Sequence, residues 1–221
     1  MSQEQIFDLI SWWNEQTFPG KELYKLDENG ELTIRANSNI KERVIATIAP
    51  ENAAVVLKTL LEKFAQVESR VRDTEVEWLA AEDKLRLADK VGHLKEYLDT
   101  VGALGDMHRL ALLVHDWQHT IYQLSEENHA VKLKLVEAAE SLTESDAWKE
   151  TTQAFRDIAD KWKETGFLDK NRNDKLWNRI EAARKAFYDR KRRHQEEEEK
   201  DMLQNLDLKI DLVEQAESIA S

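Results

Sequence analysis

Leu57, Phe64, Val71, Trp78 and Leu85 recur every seven residues, with Leu60 and Val67 at the complementary heptad position. Apolar side chains at that spacing line one face of an α-helix and require another helix to cover them. A coiled-coil-like seam is therefore the main constraint on what this chain can become. The repeat shifts to Val91, Leu94, Leu98 and Val101, and GALGD (Gly102 to Asp106) then supplies two glycines and an N-cap candidate. A second long helix is expected from near Met107 to near Leu142, antiparallel to the first because the connection is short. At 1.5 Å per residue, two helices of roughly 35 to 50 residues make an elongated hairpin about 50 to 75 Å long. Pro50 suits the first turn of the first helix, where its missing N–H would have had no partner. The composition agrees: 2 Pro and 6 Gly against 34% charged residues favour long helices, and 41% hydrophobic content in 221 residues can fill a core.

Before Pro50 the pattern changes. Ser2 and Gln5 read as a capping box, and Ile6, Leu9, Ile10 and Trp13 place an apolar stripe on a short helix that ends at Pro19 and Gly20. In ELYKLDENGELTIR, apolar residues at Leu23, Tyr24, Leu26, Leu32 and Ile34 flank Asp27 to Gly30, where Asn29 and Gly30 supply the positive φ angles of a tight β-hairpin. The β-branched run Ile40 to Ile48 fits either a third strand or a helical turn. Trp12 and Trp13 read as plugs of a small core rather than as a stacking platform.

Several function classes lose support. Without cysteine there is no disulfide framework, thiolate metal site or cysteine nucleophile, and a reducing cytoplasm is the expected compartment. The start MSQEQIFDLISWWNEQ lacks the basic flank of a signal peptide, and no run approaches the roughly 18 apolar residues of a membrane helix. No P-loop, GxGxxG or GxSxG elbow is present, so no enzyme activity and no cofactor are expected. HDWQH puts His115 and His119 one helical turn apart, with His108 seven residues upstream on the same face. These are weak metal candidates: Asp116 stands where a zinc protease carries a longer glutamate, and no third ligand follows. An ordinary histidine stripe, with no metal, is the expectation.

The chain also repeats itself. NHAVKLKLVEAAESLTE (Asn128 to Glu144) matches NLDLKIDLVEQAESIAS (Asn205 to Ser221) at an offset of 77 residues, with 8 of 17 positions identical. Repetition at such a period points to serial helical modules, the second copy reading as the truncated start of a further repeat in a longer array. Between the copies, Trp148, Phe155 and Trp162 fall seven apart with Ile158 on the same face, and Gly166 stops the helix. Trp177, Ile180 and Phe187 face them from the next helix as core residues. Trp148, the WK..G of Trp162, Lys163 and Gly166, the LW..R of Leu176, Trp177 and Arg179, and the AFY of Ala186, Phe187 and Tyr188 resemble the bacterial family called domain of unknown function 349. That resemblance covers about residues 128 to 205 and implies a tandem helical module without established chemistry. GFLDKNRND departs from the proline-containing loop of many members. The expected organisation is an N-terminal helix plus β-hairpin (1–49), a long antiparallel helical hairpin (50–127), a repeat module (128–204) and the start of another (205–221).

Charge supplies the remaining functional hint. Between Lys161 and Arg193 lie 12 basic and 5 acidic residues, so this segment is +7 while the rest of the chain is −19. Arg172, Lys175, Arg179, Arg190 and Arg193 fall near one side of a helix, and with Lys170, Lys191 and Arg192 they are the candidate nucleic-acid contacts. RNA is favoured over DNA because no groove-reading motif is present, and Glu196 to Glu199 bound any footprint at His194. The same cations can instead pair along the helix or with an acidic neighbour. Two functions follow: a non-enzymatic helical scaffold binding protein partners through its long helices and repeat modules, or an RNA- or ribosome-associated protein using residues 161–193. Neither involves a membrane.

Overall fold

The computed structural model describes residues 8–220. The protein is mainly α, with long helices and a small three-stranded antiparallel sheet near the amino terminus. No described helix is long and apolar enough to cross a membrane. The chain divides into two compact units, Met1–Leu124 and Ser125–Ser221. The Ser2/Gln5 capping box and Ile6 lie outside the described residues. Within them, Asp8 caps helix α1 (Leu9–Glu15), its carboxylate accepting from the Ile10 and Ser11 amides at 3.0 and 3.1 Å. Trp13 is buried against Phe18, and Trp12 packs on the same core, as plugs rather than a platform.

Strands β1 (Tyr24–Leu26), β2 (Glu31–Ile34) and β3 (Arg43–Thr47) pair in chain order, Tyr24 opposite Ile34 and Leu32 opposite Ala46. The run at Ile40 to Ile48 thus contains a strand, as its β-branched residues favour. The hairpin turn differs from the expected tight one, because Gly30 alone has positive φ, at 79°. Asn29 instead gives its amide to the Asp27 carboxylate, which also accepts from Glu31, and the turn closes on one left-handed residue. A Cβ at Gly30 would lie 2.1 Å from the Ile48 carbonyl oxygen, so no other residue fits.

The long first helix of the sequence reading is two helices. Helix α2 (Ala53–Ala80) begins three residues after Pro50, which sits in the preceding turn, and stops at Ala81. A 3₁₀ turn at Lys84–Leu87 then reverses the chain into α3 (Ala88–Thr100). Lys84 caps the end of α2 by donating to the carbonyls of Trp78 and Ala81, while the Asp83 side chain accepts from the Leu85 amide. Lys90 meets Glu77 at 2.5 Å, and Arg70 lies 4.5 Å from the Tyr97 ring centre, so α3 runs back along α2. Asp106 caps α4 (Met107–Ser141) by accepting from the Arg109 amide, and the chain reverses again. The start of α4 therefore lies parallel to α2: Leu60 accepts from the Leu104 amide, Arg109 meets Glu68, and Trp78 stacks on Trp117 at 5.6 Å. The short connections do make consecutive helices antiparallel. The added reversal turns the expected pair into three, with the heptad residues Leu60, Val67, Val71 and Trp78 buried between them.

The second unit repeats this logic with the later part of α4, α5 (Trp148–Glu164) and α6 (Lys170–Ala220). Phe155, Ile158, Trp162, Ile180 and Phe187 are buried with Val136 and Ala139, and Trp148 and Trp177 pack at the edges. Helix α5 ends at Glu164 with Thr165 as its cap, so Gly166 lies just outside it and has no positive φ. Its requirement is space: a Cβ there would lie 2.6 Å from the amide nitrogen of Asn128, which donates to the Phe167 carbonyl at 2.9 Å.

Tyr24 ties the sheet to the helices. Its buried hydroxyl donates to the Gly105 carbonyl at 2.9 Å and accepts from the Gly105 amide at 3.2 Å. Burial pushes its pKa up to about 12, against the lowering effect of the bond to Gly105. The unfolded chain releases this proton near pH 10 and the native protein near 12, so the stabilisation is complete below about pH 10 and is lost as the pH rises towards 12. Tyr24→Phe is expected to cost about 1–3 kcal/mol in urea unfolding at neutral pH, because it strands the buried Gly105 amide and leaves the Gly105 carbonyl with the Met107 amide as its donor, and to flatten the alkaline loss of stability.

Candidate polyanion surface on the basic helix

Helix α6 carries all eight candidate cations. Asp169 starts the helix by accepting from the Arg172 amide at 3.0 Å. From there, a residue every three or four positions returns to one side, and Arg172, Arg179 and Arg190 do share it. That side faces α4. Both terminal nitrogens of Arg172 donate to Glu126 at 2.8 Å, and Arg179 forms a two-pronged pair with Glu140, each bond 2.9 Å long. The hydrogen bond from Arg179 holds the Glu140 carboxyl below its ordinary range, and the same bond raises Arg179.

Arg190 is the most engaged of the three. Its guanidinium donates to the carbonyls of Thr143 and Ser145 at 2.9 and 3.3 Å and to Asp146 at 2.7 Å, and lies 5.5 Å from the Trp148 ring centre. It thus closes the end of α4 and the turn into α5, whose first residue, Trp148, also stacks on His194 at 5.1 Å. Lys191 reaches the Thr152 hydroxyl at 3.4 Å. Arg192 pairs with Asp189 and Glu196 along its own helix, and Arg193 donates to the Asp189 carbonyl at 3.4 Å. Of the eight candidates, only Lys170 and Lys175 make no hydrogen bond or ion pair with a described residue. Most of the row predicted for phosphate is therefore already holding the module together.

The partners of that row, Glu126, Glu140 and Asp146, were not singled out in the sequence, and neither was Lys132. This lysine is buried; it donates to Asn173 at 2.7 Å and lies 4.5 Å over the Trp162 ring, and burial pushes its pKa down. Lys132 and Glu140 both belong to the eight identities of the internal repeat, and that was the available signal.

The histidine candidates belong to the first unit. His115 and His119 are exposed on α4, and His108 is half-buried near its start. Among the described residues no group of three or more His, Cys, Asp or Glu is placed to hold a metal ion.

Arg190 and Arg193 separate structural from solvated charge. Replacing Arg190 by alanine is expected to cost about 2 kcal/mol, since it frees two carbonyls and a carboxylate, and Arg190→Lys should recover only part because an ammonium lacks the planar fork. Arg193→Ala should change stability by less than about 0.5 kcal/mol. Hydrogen exchange at residues 143–152 is the readout local to this turn.

No curated protein and no solved structure matches the chain. Two stretches that together make up just under half of it, residues 114–171 and 175–221, do match one family model. The first covers most of α4 with α5, and the second covers α6 from Lys175 onward. The carboxy-terminal part of this chain thus carries two successive matches to the family described as Domain of Unknown Function (DUF349), consistent with a tandem module.

Proposed function

We propose that this chain is a non-enzymatic helical scaffold of the cytoplasm that binds protein partners through its long helices and repeat modules. The observation that carries this reading is the engagement of Arg172, Arg179 and Arg190 by the acidic residues and carbonyls of α4 and its following turn. A guanidinium already paired with a carboxylate has little left to offer a phosphate, because binding would first require breaking the pair. The positive charge of the segment then acts inside the module. The surface left for partners is helix faces, recognised through apolar side chains at helical spacing.

The experiment that tests it compares salt dependence. RNA binding that neutralises about six phosphates would weaken roughly 1000-fold between about 50 and about 200 mM salt. For this chain, fluorescence anisotropy with total cellular RNA is expected to show only weak binding, and charge reversal at the free cations (Lys170→Glu with Lys175→Glu) should change it little. Protein partners captured from nuclease-treated lysate should survive the same salt range. Tight RNA binding with a steep slope, abolished by the double reversal, would overturn the scaffold reading in favour of RNA or ribosome association.

A further inference from the structure

Helix α6 continues past His194 as a bare helix. Every residue from Gln195 to Ala216 is exposed, including Leu206, Ile210, Leu212 and Val213, at 52, 47, 64 and 57% of their full accessibility. Isolated apolar side chains on a surface are ordinary, but a run at helical spacing on one unpaired helix is not. What such a run is for can be read within this same molecule, because residues 205–221 repeat residues 128–144.

In the first copy, five of the eight identical positions hold α5 and α6 in place. Asn128 clamps the Phe167 carbonyl, and Lys132 donates to Asn173 and sits over Trp162. Val136 and Ala139 are fully buried in the aromatic core, and Glu140 takes the two-pronged bond from Arg179. The second copy keeps every one of these side chains as Asn205, Lys209, Val213, Ala216 and Glu217. Identities on a solvated helix would have no reason to fall on the contact positions. The four from Asn205 to Ala216 are uncovered.

We infer that residues 205–216 of α6 are a docking strip for an antiparallel helix pair of the α5–α6 kind, supplied by a further module. The inference rests on the scaffold reading and names its partner. The first helix of the pair brings an aromatic ring to Lys209, and the loop between the two helices brings a backbone carbonyl to Asn205. Large apolar residues at the positions of Phe155, Ile158, Ile180 and Phe187 cover Val213 and Ala216. The chain's own α5–α6 pair is already occupied by α4, so it is not the occupant. Parallel pairing of two α6 strips with each other would bring together the Glu196 to Glu199 blocks of both helices, and an antiparallel pair would offer Asn205 and Lys209 no aromatic ring or loop carbonyl of the kind that meets Asn128 and Lys132.

The test extends the intact 221-residue chain by a second copy of residues 145–204, joined directly after Ser221, and follows hydrogen exchange at residues 205–216. Exchange there is expected to slow by about tenfold or more relative to the unextended chain, and Val213→Glu in the extended chain should return it to the unextended rate. The same substitution in the unextended chain, where the site is exposed, should leave helicity and melting unchanged, which separates a lost contact from a lost fold. Exchange that stays fast in the extended chain would overturn the inference. So would slowing that already occurs in the unextended chain as its concentration is raised, which would make a second copy the occupant. Either failure leaves the scaffold reading standing, since that reading falls only on steep, lysine-dependent RNA binding.

Discussion

An apolar stripe too wide for one neighbouring helix to cover needs two, and both units of this protein meet that demand in the same way. In the first, α2 is covered by α3 and by the start of α4; in the second, the later part of α4 is covered by α5 and α6. Each unit runs out, back and out again, so that its first and third helices are parallel. Helix α4 serves as the last member of one trio and the first member of the next. A helix used twice needs apolar residues along its whole length, and α4 has them from Met107 to Leu135 and on to Ala139. Helix α6 has the same double pattern, with only its first part covered.

Charge is arranged around this packing rather than apart from it. Arginine and glutamate at the flanks of an aromatic core keep their ends in water while their stems cover apolar surface. Exposed pairs of this kind contribute little stability individually, so Arg172 with Glu126 and Arg179 with Glu140 matter chiefly for the alignment of α6 along α4. Arg190 differs because it also satisfies main-chain carbonyls of the turn between α4 and α5. The abrupt change from basic to acidic residues lies at the end of that contact: up to His194, which stacks on Trp148, the helix has neighbours to meet, and from Gln195 to Ala216 every residue is exposed.

The helices, the hairpin, the aromatic core of the module and the sidedness of the α6 arginines were legible in the sequence because each follows from periodicity or from a residue with one conformational use. What was hidden depended on partners distant in the chain. The reversal after α2 carries no glycine or proline. It is made by Asp83 and Lys84 satisfying chain ends, while Leu85, buried like a true heptad member, disguises the break as a continuing seam. Gly166 reads as a helix stop and is in fact a clearance for Asn128, which no local rule could reveal. The side of α6 that Arg172, Arg179 and Arg190 share could be read from their spacing, but what meets it depends on residues some 40 positions earlier, and only the repeated Lys132 and Glu140 hinted at that.

The bond between Tyr24 and Gly105 joins residues 81 positions apart. The small sheet is complete by Thr47, yet its buried tyrosine has no acceptor until two helices and two chain reversals later. During synthesis at roughly 5 to 20 residues per second, the completed sheet waits about 3 to 12 s for that partner to be made. A two- or three-stranded sheet without a packing partner is only marginally stable. A sheet formed early in synthesis is therefore secured only after α2 and α3 have been made, and over that interval its apolar face needs protection.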